Sequence, residues 1–286
     1  MTNFDELQAR TKHFFDIDMQ YKRGRNNLET GRIRIEYSMK ICGRFNMVAP
    51  VLIKSIYGIS HRLALQHLNK LVEKGYLALY KTDRAIDGRL YVLTNAGASY
   101  ASELLSTAIP FRSQSEPSRQ INHNSISHDL MNAYILLRGV NNFNKEGLYQ
   151  SLWQGFVSER EFGRIYQNND VRKVDGLVRE CDDERTITAI EIENSYKNKN
   201  MRQTILLKLL YSLNNGIYDK VFMFSQRQDI FDDIKRFHKQ LFEELPRVTS
   251  KNHHQARLSE DNINKLKRSI IFRTKFCEEL QSIFYP

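Results

Sequence analysis

Three carboxylates, Asp175, Glu191 and Glu193, flank a polar turn, Cys181-Asp182-Asp183-Glu184, in the stretch VRKVDGLVRECDDERTITAIEIEN. Apolar alternation on both sides of that turn predicts a β-hairpin. With pairing symmetric about Asp183, Asp175 faces Glu191. Side chains alternate along strands, so Asp175, Glu191 and Glu193 then share one face. Val174, Val178, Ile190 and Ile192 share the other, the core face. Opposed strand residues sit about 5 Å apart at Cβ, where like charges repel. Such a cluster needs a cation, or a carboxyl that keeps its proton. A hard divalent ion, Mg2+ or Mn2+, held by carboxylate oxygens and water answers that need. A solvent-exposed acidic edge partnered by Arg172, Lys173 or Arg179 answers it without metal.

The elements that must position these acids read as α/β. A helix, SISHDLMNAYILLRGV, precedes them and carries Leu130, Tyr134 and Leu137 on one face. Strand-like YQSLWQGFV comes next, then the hairpin. A helix, MRQTILLKLLYSLNNG, a strand, KVFMFS, and a helix, DIFDDIKRFHKQLFEEL, follow. This gives an α-β-β-β-α-β order over 124–245, with a C-terminal helical extension at 246–286 after the weak spot LPRVTSKNHHQARLSED.

The N-terminal part is different. AIPFRSQSEPSRQINHN, rich in proline, serine and amides, marks a linker at 108–123. Before it, residues 1–107 form a basic arm and a small domain. Residues 1–120 hold 18 basic and 11 acidic side chains, a net of +7, out of +10 for the whole chain of 286 residues. A run at Lys22, Arg23, Arg25, Arg32 and Arg34 adds a local field, which favours a polyanion such as nucleic acid. NMVAPVLIKSIYG predicts a short helix stopped by Gly58. Ser60 then caps a second, HRLALQHLNKLVEKGYL, with Leu65, Leu68, Leu71 and Val72 inward. Its outward face carries His61, Arg62, Gln66, Asn69, Lys70 and Lys74. LALY and RLYVLT bracket an Asp87-Gly88 turn with Arg84 and Arg89 nearby, and NAGASYASELL adds a helix.

Two short helices, the second basic on its outer face, then a basic-tipped hairpin: residues 31–107 resemble a winged helix-turn-helix. That resemblance implies a helix in the major groove and a hairpin on the phosphate backbone of double-stranded DNA. The strand ending in Asp-Gly, the hairpin and Glu-x-Glu before a helix resemble the PD-(D/E)xK restriction-nuclease fold. There, an Asp and a Glu bind the metal and a Lys two residues on handles water. Asp175 and Glu191 match the first two. Glu193 stands where the Lys belongs, and Lys197, or Lys208 on the next helix, could migrate into that role. Over 31–225 the combination is similar to the replication-relaxation family and to relaxases of the MOBC class, which also carry His-Asp-Leu-like residues before the sheet, here His128, Asp129 and Leu130.

That resemblance implies a metal-dependent, site-specific nick in one strand, during mobilisation or replication of a mobile element. It also implies an origin-like DNA site and, as further partners, other transfer or replication proteins. Asp175, Glu191 and Glu193 would be ligands, with His128 and Asp129 either supporting those ligands or transferring protons. Covalent tyrosine catalysis is the less favoured chemistry: the close pair His253-His254 sits in a loop, and Tyr21 reads as packing. The non-enzymatic alternative is a replication initiator or transcriptional regulator with a worn nuclease-like domain, which Glu193 favours. No P-loop, dinucleotide fingerprint or Gly-x-Ser-x-Gly elbow occurs. Cys42, Cys181 and Cys277 are odd in number and far apart, which predicts reduced thiols in a cytoplasm. No long apolar run predicts membrane insertion, and the N-terminus does not read as a secretory signal.

Overall fold

The computed structural model of the protein describes residues 4–111, 116–142, 150–247 and 258–285. Its first helices are placed by local capping. α1 spans Phe4–Phe15 and α2 spans Asn27–Phe45. Asn26 Oδ1 starts α2 by accepting from Glu29 N, and Asn46, at φ 65°, ends it in the left-handed region. α3, Pro50–Tyr57, opens on a proline whose fixed φ suits a first helical turn, and stops at Gly58, φ 61°. Ser60 Oγ accepts from Leu63 N to cap α4, His61–Glu73. β1, Leu77–Lys81, and β2, Arg89–Leu93, pair antiparallel. α5, Asn95–Leu105, follows. Val48, between α2 and α3, bridges to Tyr91 and lends the hairpin a one-residue third strand. Asp87, in the hairpin loop, accepts from Val51 N at 2.9 Å and lies 3.4 Å from His61 Nδ1. One carboxylate thus ties the loop to the starts of α3 and α4.

The second part is a five-stranded sheet. α6, Ile126–Val140, precedes β3, Trp153–Ser158. α7, Glu159–Ile165, β4, Gly176–Glu180, and β5, Ile187–Ile192, come next. α8, Lys199–Asn214, β6, Lys220–Phe224, and α9, Gln228–Glu244, continue the chain. α10, Glu260–Ser269, β7, Ile270–Phe272, and α11, Cys277–Phe284, close it. The strand order is β3-β4-β5-β6-β7. β3, β4 and β5 are antiparallel, and β5, β6 and β7 run parallel, joined by helical crossovers.

The two faces of the sheet feed two cores. Phe156, Val178, Ile190, Ile192, Phe222 and Phe224 join Leu52, Ile53, Leu136 and Leu280 in one cluster. Val157, Leu177, Ala189, Val221 and Met223 join Phe162, Leu206, Phe231 and Leu266 in the other. The first cluster runs unbroken from α2, α3 and α4 across α6 to the sheet.

Several elements depart from the sequence reading. α1, placed there with the N-terminal domain, packs on β3 and α7. A Cβ on Gly155 would fall 2.1 Å from Phe15 O, so a glycine is required for this approach. Within the expected linker 108–123, a 3-10 turn, Pro117–Gln120, lies on the β1–β2 hairpin. The C-terminal stretch is not only helical, because β7 extends the sheet. Val174 packs with the second cluster, opposite Val178, because the ladder begins only at Gly176 and strict alternation does not reach it. His253 and His254 lie outside the described residues.

Candidate functional site

Chemistry-bearing side chains gather at two places, and the carboxylate end of the sheet is the first. β4 and β5 pair from Gly176↔Ile190 to Arg179↔Ile187, the register symmetric about Asp183. Asp175 stands just before this ladder. Its N donates to Ile190 O at 2.9 Å, and its Oδ2 accepts from Ile192 N at 2.6 Å. Its Oδ1 turns to α6, 3.4 Å from His128 Nε2. On its other side His128 Nδ1 lies 3.6 Å from Asp129 Oδ1. Burial works against a charged imidazole here, but hydrogen bonds and charge from Asp129 and Asp175 outweigh it and push His128 up to about 11. Ser125 Oγ donates to Asp129 Oδ2 at 2.8 Å and steadies that carboxylate. Asn132, one turn along α6, donates Nδ2 to Asp175 O at 2.6 Å.

Glu191 and Glu193 have other partners. Arg172 holds both oxygens of Glu191, Nε to Oε1 and Nη2 to Oε2, each at 2.8 Å. Glu193 is fully buried; Arg202 Nη1 donates to Oε1 at 2.7 Å and Lys197 Nζ to Oε2. Burial, with the Asp175 and Glu193 charges, raises Glu191 while Arg172 pulls it down.

The expected metal trio of Asp175, Glu191 and Glu193 is therefore corrected. Its donor set does not fit a shared ion: both oxygens of Glu191 and both of Glu193 already serve protein cations, and the Asp175 carboxylate meets His128. The like charges that the register brings close are compensated from within the chain. Lys197 takes part as an ion-pair partner of Glu193. Lys208 does not reach the acids; its Nζ donates to Asn169 O at 2.6 Å.

A different grouping appears beside the trio. Ser158 caps α7 in a reciprocal box with Glu161, which sets Glu159 as the helix's first residue. Desolvation, then the Asp175 and Asp129 charges, push Glu159 up to about 7. One ligand atom from each of His128, Asp129 and Glu159 lies within 4.8 Å of the others. Glu159 and Asn132 were not anticipated. The Ser-x-x-Glu spacing at 158–161 is the signal that could have placed α7 and hence Glu159.

The second place is the outer face of α4. Arg62, Gln66, Asn69, Lys70 and Lys74 are exposed, as are Lys22, Arg23 and Arg25 ahead of α2. Asn69 Oδ1 accepts from Tyr91 OH at 2.7 Å, which braces α4 against the hairpin. The hairpin arginines depart from the expected backbone-reaching tip. Arg84 Nη1 donates to His123 O at 2.8 Å and to Asn124 Oδ1 at 2.5 Å. Arg89 is half-buried and bonds Tyr91. The hairpin lies against the segment before α6 instead of projecting, and this engages Arg84, while Arg89 is engaged within its own strand. Tyr21 is buried among Tyr37 and Tyr57, and its hydroxyl accepts from Arg34 Nε at 3.1 Å.

No protein-family model, curated protein or solved structure matches the chain.

Proposed function

We propose that the protein binds duplex DNA at a selected site, with α4 in the major groove and the β1–β2 hairpin alongside as a wing. The supporting observation is the exposed row Arg62, Gln66, Asn69, Lys70 and Lys74 on a capped helix braced against a hairpin that Val48 completes. A helix of that width fits the major groove; amides and arginine meet base edges, and lysines meet phosphates. The layout of α2, α3, α4 and hairpin resembles a winged helix-turn-helix, which supports this reading, and the +7 charge of residues 1–120 would supply the attraction. A mobility-shift titration over a salt series tests this reading. Steep weakening with salt, lost when the α4 row is replaced, is the expected result. Salt-independent binding rejects it.

A second reading adds strand nicking, in the manner of a mobilisation relaxase with a restriction-nuclease-like sheet. It is favoured by one cleft that Phe45 and Met47 of the N-terminal unit share with His128, Asp129 and Glu159. DNA held by the N-terminal unit would thus meet an acid-and-imidazole group. His128 and Asp129 would serve a magnesium or manganese ion there, with Asp175 orienting the imidazole ring. Conversion of supercoiled plasmid bearing the cognate element's origin to open circles, with magnesium or manganese, is the test. Intact supercoils with normal DNA binding leave an initiator or regulator.

A further inference from the structure

The cleft between the N-terminal unit and the sheet has a volume of about 510 Å³, and Met47, His128, Asp129, Asn132, Glu159 and Lys173 are among its lining residues. Acids gathered in a cleft are common without a ligand. Asn132 sets this group apart. It is 3% exposed and stands three and four residues beyond Asp129 and His128, on the same face of α6. Its Nδ2 donates to Asp175 O. A carbonyl oxygen only accepts, so the amide's orientation is determined and Oδ1 is the atom left over. That Oδ1 is buried and has no hydrogen-bond partner among the described residues. An amide oxygen buried without a donor is costly enough to need an explanation.

We propose that His128, Asp129, Glu159 and Asn132 Oδ1 form a divalent-cation site of the magnesium–manganese class. The donors are two carboxylates, an amide oxygen and one neutral imidazole. The ion takes the place of the His128 Nδ1 proton that now faces Asp129 Oδ1; the proton leaves for solvent, Asp129 Oδ1 is freed, and Nε2–H stays on Asp175. Hard oxygens suit both ions, and the imidazole tilts the set toward manganese. Two carboxylates neutralise one divalent charge, and the amide oxygen gains the positive partner that it lacks. The remaining coordination positions are left for water or phosphate oxygens. Lys173 and Arg160 on the cleft wall are the right sign to draw a phosphate there. The site deepens the nicking reading and rests on it only for the use of the ion, since binding is measured without cleavage.

Calorimetric titration of the full chain with manganese chloride tests the site. One binding event is expected, with affinity reduced at least about tenfold in Asp129→Asn and in Glu159→Gln. These are near-isosteric changes at partly exposed positions, and circular dichroism with thermal unfolding verifies their folds. Glu191→Gln, its fold verified in the same way because Arg172 loses its charged partner, is the control for the other acids and should leave affinity within about twofold. Manganese should also raise the unfolding temperature of the parent protein and not that of Glu159→Gln. Absence of binding at millimolar manganese overturns the site. So does binding that survives both variants, or binding that is lost only in Glu191→Gln. Binding without nicking supports the site and removes the nicking reading; nicking without binding does the reverse.

Discussion

Arg172 grips both carboxylate oxygens of Glu191, in a fork of two 2.8 Å hydrogen bonds. Glu191 is 1% exposed, so this guanidinium is what permits a charge there. Breaking a buried pair from one side strands the other charge and typically costs about 3–5 kcal/mol. Arg172→Ala should therefore destabilise by that order in urea unfolding. The double variant Arg172→Ala with Glu191→Ala should recover much of the loss. Additive single effects would show that the pair does not act as a unit.

Arg44 and Glu161 make a second buried fork, this time between the N-terminal unit and the sheet. Arg44 Nε and Nη2 donate to Glu161 at 2.8 and 2.7 Å, and Nη2 also reaches Phe156 O at 2.6 Å. The guanidinium lies 4.0 Å over the Phe156 ring. Glu161 in turn accepts from Ser158 N as part of the α7 cap. Arg44→Ala removes the contacts of the guanidinium at once and leaves Glu161 with only its cap bond, and a loss of about 3–5 kcal/mol is expected. Because the first core is continuous across this junction, unfolding should stay a single transition. Separate melting of the two halves in calorimetry would contradict that.

The hairpin carrying Asp175, Glu191 and Glu193 was legible because a two-residue period and a polar turn determine register without reference to the rest of the chain. α4 was legible for a similar reason: Ser60 and Gly75 bound a strong helical period. The partners were not. Arg172 was visible only as one of three nearby cations, and Arg202 pairs with Glu193 through tertiary packing of α8, which no local pattern encodes. α7 is too short for periodicity, so its one signal was the Ser158–Glu161 spacing. β7 is three residues long and is defined by pairing with β6, which sequence alone does not announce.

Two histidines, His67 half-buried and His238 buried, make stability fall in acid. Burial, then the Arg34 charge, hold His67 at about 4, with Ser38 Oγ 2.8 Å from its Nε2. Burial and Arg202 hold His238 at about 4. Both titrate below the unfolded value of 6.5, so the unfolded chain binds the extra protons. Their contribution is present above pH 6.5 and is lost as pH falls toward 4, at up to about 1.4 kcal/mol per pH unit for each. The stability difference between parent and His67→Gln, followed by urea unfolding at several pH values, should shrink across that window. A difference independent of pH would refute a neutral His67.

On DNA, lysines and amides of α4 should fail differently. Lys70→Ala and Lys74→Ala together should lower the slope of log affinity against log salt by about 2, with weakening on every sequence. Gln66→Ala should leave that slope alone and reduce discrimination between sites, by about 1–3 kcal/mol where it reads a base. All three side chains are exposed, so folding should be unaffected. If Gln66→Ala and the lysine pair behave alike, α4 does not lie in the groove as proposed.

Nicking should depend on Asp175 more than on any tyrosine. Asp175 Oδ1 faces His128, so Asp175→Asn removes the charge that orients the imidazole. The Oδ2 contact from Ile192 N can be kept by the amide oxygen, and the ladder beside it should survive. Loss of one such electrostatic partner typically costs two to three orders of magnitude in rate, which would leave open-circle formation near background. DNA affinity should hold, because α4 is a separate surface. Tyr21→Phe should cut normally: its hydroxyl is bound by Arg34 among packed rings, not poised on a cleft. A covalent protein–DNA adduct on a denaturing gel that disappears in Tyr21→Phe would reverse this assignment of the chemistry, and full nicking by Asp175→Asn would remove the acid–histidine pair from it.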